Sequence, residues 1–184
     1  MAHDQQTDPA APLRLAPGAR VGAVVSSYHA ELTQAMFESA ARELASAGLC
    51  AGDLLRVDAP GAFELPLIAR CLALRDDVDA VLCLGLVLKG ETSHDRYIAD
   101  AVAHALQRVA LEADKPVLFG LLTCDTFEQA RTRALPADRG GTHDKGREVA
   151  RAAVAALAAL EQARDQGLRR QPAGFRLPDA EDVP

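Results

Sequence analysis

The chain has 184 residues, enough for one domain with a sizeable core; 49% of them are apolar, only 4% are aromatic and Trp is absent, so the interior must be aliphatic. A formal net charge of −6 argues against nucleic acid or an anionic membrane surface as a partner, and any anion site must be local. No apolar run approaches the roughly 18 residues of a membrane span, and the polar stretch from Met1 to Arg20 lacks the apolar heart of a secretory signal, so the expected location is cytoplasmic.

Residues 1–18, with Pro9, Pro12 and Pro17 among polar neighbours, are expected to be disordered ahead of a domain over 19–166. Val21 to Ser27 reads as the first strand. Ala30 to Ala47 carries Leu32, Met36, Ala40 and Leu44 at helical spacing, with Gly48 placed to end the helix. A short strand over Leu54 to Val57 runs into the turn signal Asp58-Ala59-Pro60-Gly61. Phe63 to Leu74 reads as a helix with Pro66 in its first turn. Ala80 to Leu88 is the third strand, and its continuous apolar character marks a strand covered on both faces, as in parallel sheets.

A long helix over Ser93 to Ala113 follows, with Ile98, Val102, Ala105, Leu106 and Val109 on one stripe, and Lys115-Pro116 stops it. Val117 to Leu122 is a fourth buried strand, Thr126 to Arg133 a short helix, and Leu135 to Thr142 a polar loop. Lys145 to Arg164 is an Ala-rich helix, and the tail over 167–184 is expected to be flexible. Strands alternate with helices throughout, which predicts an α/β fold with a parallel sheet covered on both faces. Cys50, Cys71, Cys83 and Cys124 lie scattered without a CxxC pair; they read as reduced, packed thiols rather than a metal cluster.

The chemistry-bearing residues gather at the predicted strand ends, where open α/β sheets bind ligands. His94 falls in the first helical turn after the third strand. A neutral imidazole there suits a general base, and an exposed surface histidine is the alternative. Thr92 and Asp95 have the spacing of a capping box. Lys89, Gly90, Glu91 and Thr92 supply backbone N–H groups, an ammonium and a hydroxyl for an anion cradle, without the GxxxxGK[ST] of a Walker motif. Gly85 within the strand reads as a close-packing position. Ala62, Phe63 and Glu64 put a flat ring and a carboxylate at the mouth of the second strand, unless Phe63 is simply core. Tyr28-His29 closes the first strand, offering a ring for stacking or a cap on the core. Arg131, Arg133 and Lys145 form a local basic group, and Arg suits phosphate through its planar fork; for Arg131 a solvated helix face is the default.

Three blocks in order and in register resemble the lumazine synthase family: Pro60-Gly61-Ala62-Phe63-Glu64-Leu65-Pro66, then Gly85 to His94 with its Lys-Gly-Glu-Thr-x-His core, then Phe119-Gly120-Leu121-Leu122-Thr123 through Glu128-Gln129-Ala130. The similarity runs from about Gly18 to Arg164. It implies a flavodoxin-like three-layer αβα sandwich with a four-stranded parallel core sheet. It also implies a transferase of riboflavin biosynthesis that needs no metal and no cofactor. The substrates would be 5-amino-6-ribitylamino-2,4-pyrimidinedione and 3,4-dihydroxy-2-butanone 4-phosphate; the products would be 6,7-dimethyl-8-ribityllumazine, phosphate and water. On that likeness His94 shuttles protons, and Gly90, Glu91, Thr92 and Arg133 hold the phosphate. Tyr28, Ala62, Phe63, Glu64, Val87, Leu88, Lys89, Phe119 and Lys145 contact the pyrimidine and ribityl chain. The family's sites lie between subunits, so Phe119, Arg133 and Lys145 are expected from an adjacent chain of a homo-oligomer.

Three features depart from the family pattern. Its aromatic-Asn pair after the first strand is Tyr28-His29 here. Asp95-Arg96 stand between His94 and the next aromatic, Tyr97. The segment from Arg133 to Lys145 is longer than in shell-forming members and lacks their Gly-x-Lys-x-Gly-Asn turn, which favours a pentamer or decamer over an icosahedral sixty-subunit shell. Two other readings remain at this point: a paralogue of the same fold that binds lumazine or flavin with weak synthase activity, and a flavodoxin-like phosphate or nucleotide module. The second of these suffers from the absence of a Gly-rich fingerprint.

Overall fold

A computed structural model describes residues 14–169. Four parallel strands form one sheet in the order β2-β1-β3-β4, with β1 at Val21–Ser26, β2 at Leu54–Ala59, β3 at Ala80–Leu88 and β4 at Val117–Cys124. Five α-helices connect and follow them among the described residues: α1 Ala30–Ser46, α2 Leu65–Ala73, α3 His94–Ala113, α4 Phe127–Ala134 and α5 Lys145–Arg169. Side chains alternate across β3, and that alternation divides the core in two. Leu82, Leu84 and Leu86 pack with Leu32, Met36 and Leu44 of α1 and with Ala150 and Ala153 of α5. Val81, Cys83 and Val87 face the opposite way, toward Leu65 and Ala69 of α2 and Val102 and Leu106 of α3. The result is a three-layer αβα sandwich. β3 is buried from Ala80 to Val87, which is why its sequence is apolar without interruption.

The chain leaves β1 toward β2 on one side and enters β3 and β4 on the other. The carboxyl ends of β1 and β3 therefore flank a topological switch point, where the covering helices diverge and a crevice opens. Gly85 stands near that end of β3. A Cβ there would lie 2.9 Å from Leu121 Cδ1 and 3.0 Å from Leu65 Cδ1, so the missing side chain lets α2 and β4 close on the strand, as the sequence anticipates.

Several boundaries differ from expectation for identifiable reasons. β2 continues to Ala59, because Asp58 and Ala59 stay in register with Val25 and Ser26 of β1. It is an edge strand whose Arg56, Val57 and Asp58 are exposed, so it lacks the apolar signature of β3. β4 continues to Cys124, paired with Leu88. α2 begins at Leu65, with Pro66 in its first turn, and leaves Phe63 and Glu64 in the preceding bend. The Leu135 to Thr142 segment is not wholly polar surface: Leu135 and Pro136 are buried and a 3-10 turn occupies Ala137–Arg139. α5 runs on through Gly167 to Arg169, further than Arg164. Residues 1–13 and 170–184, which carry most of the expected loose termini, lie outside the described residues. Leu15, inside the expected disordered segment, instead donates its N–H to the Ala47 carbonyl at 3.0 Å and packs against the α1 side of the core.

The cysteines divide. Cys83 and Cys124 are buried, and burial pushes both thiols above the usual range; the nearby Arg133 guanidinium partly opposes this at Cys124. Cys50 and Cys71 are exposed rather than packed. No helix among the described residues is long and apolar enough to cross a membrane.

Candidate active site

The switch point holds a cavity of about 300 Å³, walled by Tyr28 after β1, by Gly61, Ala62, Phe63 and Glu64 between β2 and α2, by Leu86, Val87 and Leu88 at the end of β3, and by His94 and Ile98 of α3. Seven of the residues singled out in the sequence thus meet in one place: Tyr28, Ala62, Phe63, Glu64, Val87, Leu88 and His94. Phe63 is 62% exposed and Tyr28 67% exposed. Phe63 is therefore not core, and Tyr28 does not cap it; both large rings stand in the mouth of the cavity, an arrangement suited to a flat heterocycle. Gly61, Leu86 and Ile98 were not anticipated as lining residues. Ile98 carried a readable signal, because it lies one helical turn beyond His94 and shares its face.

The turn after β3 brings the remaining polar groups to the rim. Lys89 donates its backbone N–H to the Cys124 carbonyl at 2.9 Å, and its ammonium lies 3.6 Å from Asp125 Oδ1. Gly90, Glu91 and Thr92 are exposed. The capping box expected from Thr92 and Asp95 is not formed. Ser93 occupies the N-cap of α3 without a side-chain cap bond, and Thr92 Oγ1 lies instead 2.9 Å from His94 Nδ1. Asp95 turns inward and is buried, so the histidine has taken the hydroxyl that the cap would have used. Arg96 and Tyr97 are exposed on the same first turn.

Phe119, Arg133 and Lys145 do not line this cavity in a single protomer. Phe119 is 43% exposed on the edge strand β4. Arg133 sits in the last turn of α4, a helix whose start is fixed by Thr126 Oγ1 accepting the Gln129 N–H at 3.2 Å. Its neighbour Arg131 lies 3.8 Å from Glu31 and is paired rather than merely solvated, whereas Arg133 has no carboxylate partner among the described residues. Lys145 opens α5, with its ammonium 2.6 Å from Glu148 Oε1. The α4–α5 connection is latched to α1, since Ser39 Oγ donates to Asp144 Oδ2 at 2.7 Å. No group of three side chains suited to holding a metal occurs among the described residues.

His29 occupies the position where the family pattern has Asn. It adopts φ 58°, ψ 46° at the N-cap of α1, with no side-chain cap bond. That left-handed conformation is one Asn enters readily and most residues avoid. The imidazole packs edge-on against Tyr28, ring centroids 4.8 Å apart, so the substitution leaves the aromatic wall in place.

The family model described as 6,7-dimethyl-8-ribityllumazine synthase matches residues 18–161. The chain belongs to this family. It is 46% identical over 153 residues to the 6,7-dimethyl-8-ribityllumazine synthase of Frankia casuarinae, an alignment covering 83% of this chain and 92% of that protein. The synthase of Cytophaga hutchinsonii is 43% identical, covering 74% of this chain and 84% of its own length. That of Thermus thermophilus is 38% identical, covering 82% and 93%. Membership makes the chain a lumazine synthase-type transferase of riboflavin biosynthesis, and it implies small-molecule substrates and homo-oligomeric assembly.

Proposed function

We propose that the Tyr28–Phe63–His94 cavity carries out the lumazine synthase condensation and that a neighbouring subunit completes it. The supporting observation is convergence: residues from four separate segments, far apart in sequence, meet at the switch point with two exposed rings, a carboxylate and an imidazole around one cavity. The pyrimidinedione stacks on Phe63 and Tyr28, Glu64 receives the ribityl hydroxyls, and the strand backbone at Val87, Leu88 and Lys89 borders the ring. Gly90, Glu91 and the backbone N–H of Thr92 face the phosphate of the four-carbon ketone, with Arg133 of the adjacent subunit closing over it. Phe119 and Lys145 come from that same neighbour.

The chemistry balances with these groups alone. The 5-amino group adds to the ketone and loses one water to give the Schiff base. A proton leaves the adjacent carbon as phosphate departs, and the resulting enol becomes a ketone. The ribitylamino nitrogen then closes the ring with loss of a second water. His94 takes and returns the protons, and a guanidinium beside the departing phosphate stabilises its charge. Holding two substrates in register supplies most of the acceleration, and proton transfer adds roughly 10²–10⁴-fold.

Mixing the two substrates with the protein and following lumazine absorbance and phosphate release tests the reading. Both signals should rise together. His94→Ala should slow turnover markedly yet leave residual rate from positioning alone; a wild-type rate would remove His94 from the mechanism. Binding of lumazine or flavin without turnover would favour the binding-paralogue alternative.

The synthase domain is assigned to residues 19–166, with the last turn of α5 extending beyond it, and the assembly to a pentamer or decamer in the cytoplasm. The 3-10 turn at Ala137–Arg139, tied to α1 through Arg139 and Glu38 at 3.2 Å, reshapes the segment that shell-forming members use between pentamers. With chains of 19.5 kDa, sedimentation should report a particle near 100 or 200 kDa; about one megadalton would overturn this assignment.

A further inference from the structure

We propose that Thr92 is a positioning residue for His94: its hydroxyl accepts the Nδ1–H hydrogen bond and so leaves Nε2 free to take and return the reaction's proton. The inference rests on the reading of His94 as the proton-transfer group. It gives the Thr92 side chain a different task from the phosphate contact that family likeness implies.

Two independent contacts hold the ring. Thr92 Oγ1 stands 2.9 Å from Nδ1, and that hydroxyl is not engaged in capping α3, whose N-cap is Ser93. On the Cε1 edge the ring lies against the backbone of Gly90. A Cβ built at Gly90 would come within 2.6 Å of Cε1, 3.3 Å of Nδ1 and 3.6 Å of Nε2. Gly90 is not among the glycines with positive φ, so the reason for glycine there is room for the imidazole rather than backbone freedom. His94 and Thr92 are both exposed, and burial does not hold the ring. Without these two contacts an exposed histidine would exchange among rotamers.

The chemistry fixes the direction of the hydrogen bond. A hydroxyl can donate or accept, and the partner of one imidazole nitrogen sets the protonation of the other. A neutral imidazole acting as a base through Nε2 must carry its proton on Nδ1, so Thr92 accepts. Once Nε2 has taken a proton, both nitrogens carry hydrogen and Thr92 still accepts from Nδ1. One hydrogen bond therefore serves both halves of the proton transfer with no side-chain rearrangement. Ser preserves it, and Val keeps the shape while removing it.

The test uses the full-length protein labelled with 15N-histidine, the His94 signal being assigned by its loss in His94→Gln. In the wild type and Thr92→Ser, NMR should report the Nδ1–H tautomer; in Thr92→Val the population should move toward Nε2–H. In parallel, Thr92→Val should lower kcat about 10-fold, the size of one lost hydrogen bond, with KM for the phosphate substrate held within about two-fold, while Thr92→Ser stays close to wild type. An Nε2–H tautomer in the wild type would overturn the proposal. So would an unchanged tautomer in Thr92→Val, or a raised KM for the phosphate substrate at unchanged kcat, which would put the hydroxyl on phosphate. The His94→Ala rate separates the two levels: a wild-type rate there sinks the role of His94 itself, whereas a slow His94→Ala beside an unperturbed Thr92→Val sinks the role of Thr92 alone.

Discussion

At the scale of single residues, the site depends on who takes which hydrogen bond. Thr92 serves His94 rather than the end of α3, and Asp95 withdraws into the protein. The Thr-x-x-Asp spacing in the sequence pointed to a cap because local spacing carries no record of a histidine two positions on. The same competition explains Phe63. Its place in the amphipathic pattern of α2 suggested core, but Pro66 holds the helix start at Leu65 and releases Phe63 to the cavity mouth. His94, Glu64, Val87 and Leu88 were legible because strand ends in a parallel sheet face the ligand crevice whatever the details. Arg133 lies on α4 and does not line the cavity of its own protomer. Replacing it with Ala should chiefly raise KM for the phosphate substrate. The loss of one charge-assisted hydrogen bond to phosphate is worth about 1.5–3 kcal/mol, or roughly 10- to 100-fold. An unchanged KM in steady-state kinetics would count against the assignment.

At the scale of elements, burial decided what could be read. β3 was predicted at its observed limits, Ala80–Leu88, because both of its faces are covered. β2 was cut short because an edge strand with Arg56 and Asp58 facing water does not look like a strand. The end of the sheet opposite the site is closed by charge. Arg20 reaches Asp77 at 2.7 Å and Asp53 at 3.4 Å, and its backbone N–H donates to Asp79 at 2.8 Å. Hydrogen bonding from Arg75, reinforced by Arg20, holds the Asp77 carboxyl at about 2, below its ordinary 3.8. A depressed carboxylate contributes stability that is fully present above the unfolded value and is lost as pH falls through the folded one. Acid unfolding monitored by circular dichroism should therefore show part of its pH dependence between about 4 and 2. Asp77→Asn should flatten that part and leave the neutral-pH site untouched. Because the cluster is exposed, salt should shrink the difference; an identical acid profile in the variant would remove Asp77 from the account.

At the scale of the whole molecule, the proposed site divides between the cavity of one protomer and groups that lie elsewhere on its surface. The cavity at the switch point holds His94, Phe63 and Glu64, while Phe119, Arg133 and Lys145 lie on β4, α4 and α5. The family resemblance, not the spacing of the blocks, is what predicts Phe119, Arg133 and Lys145 from an adjacent subunit; within one protomer they do not line the cavity. In the proposed closed ring of identical subunits, each member would present one half-site to each neighbour. Mixed assembly measures this directly. His94→Ala and Arg133→Ala subunits, each impaired alone at limiting phosphate substrate, are unfolded together, reassembled at equal ratio and assayed for lumazine formation. If the site is shared, random neighbours in a closed ring restore about a quarter of the wild-type sites, and activity rises well above either variant reassembled by itself. If activity stays at the mean of the two single variants, Arg133 acts within its own subunit or not at all, and the shared-site account is wrong.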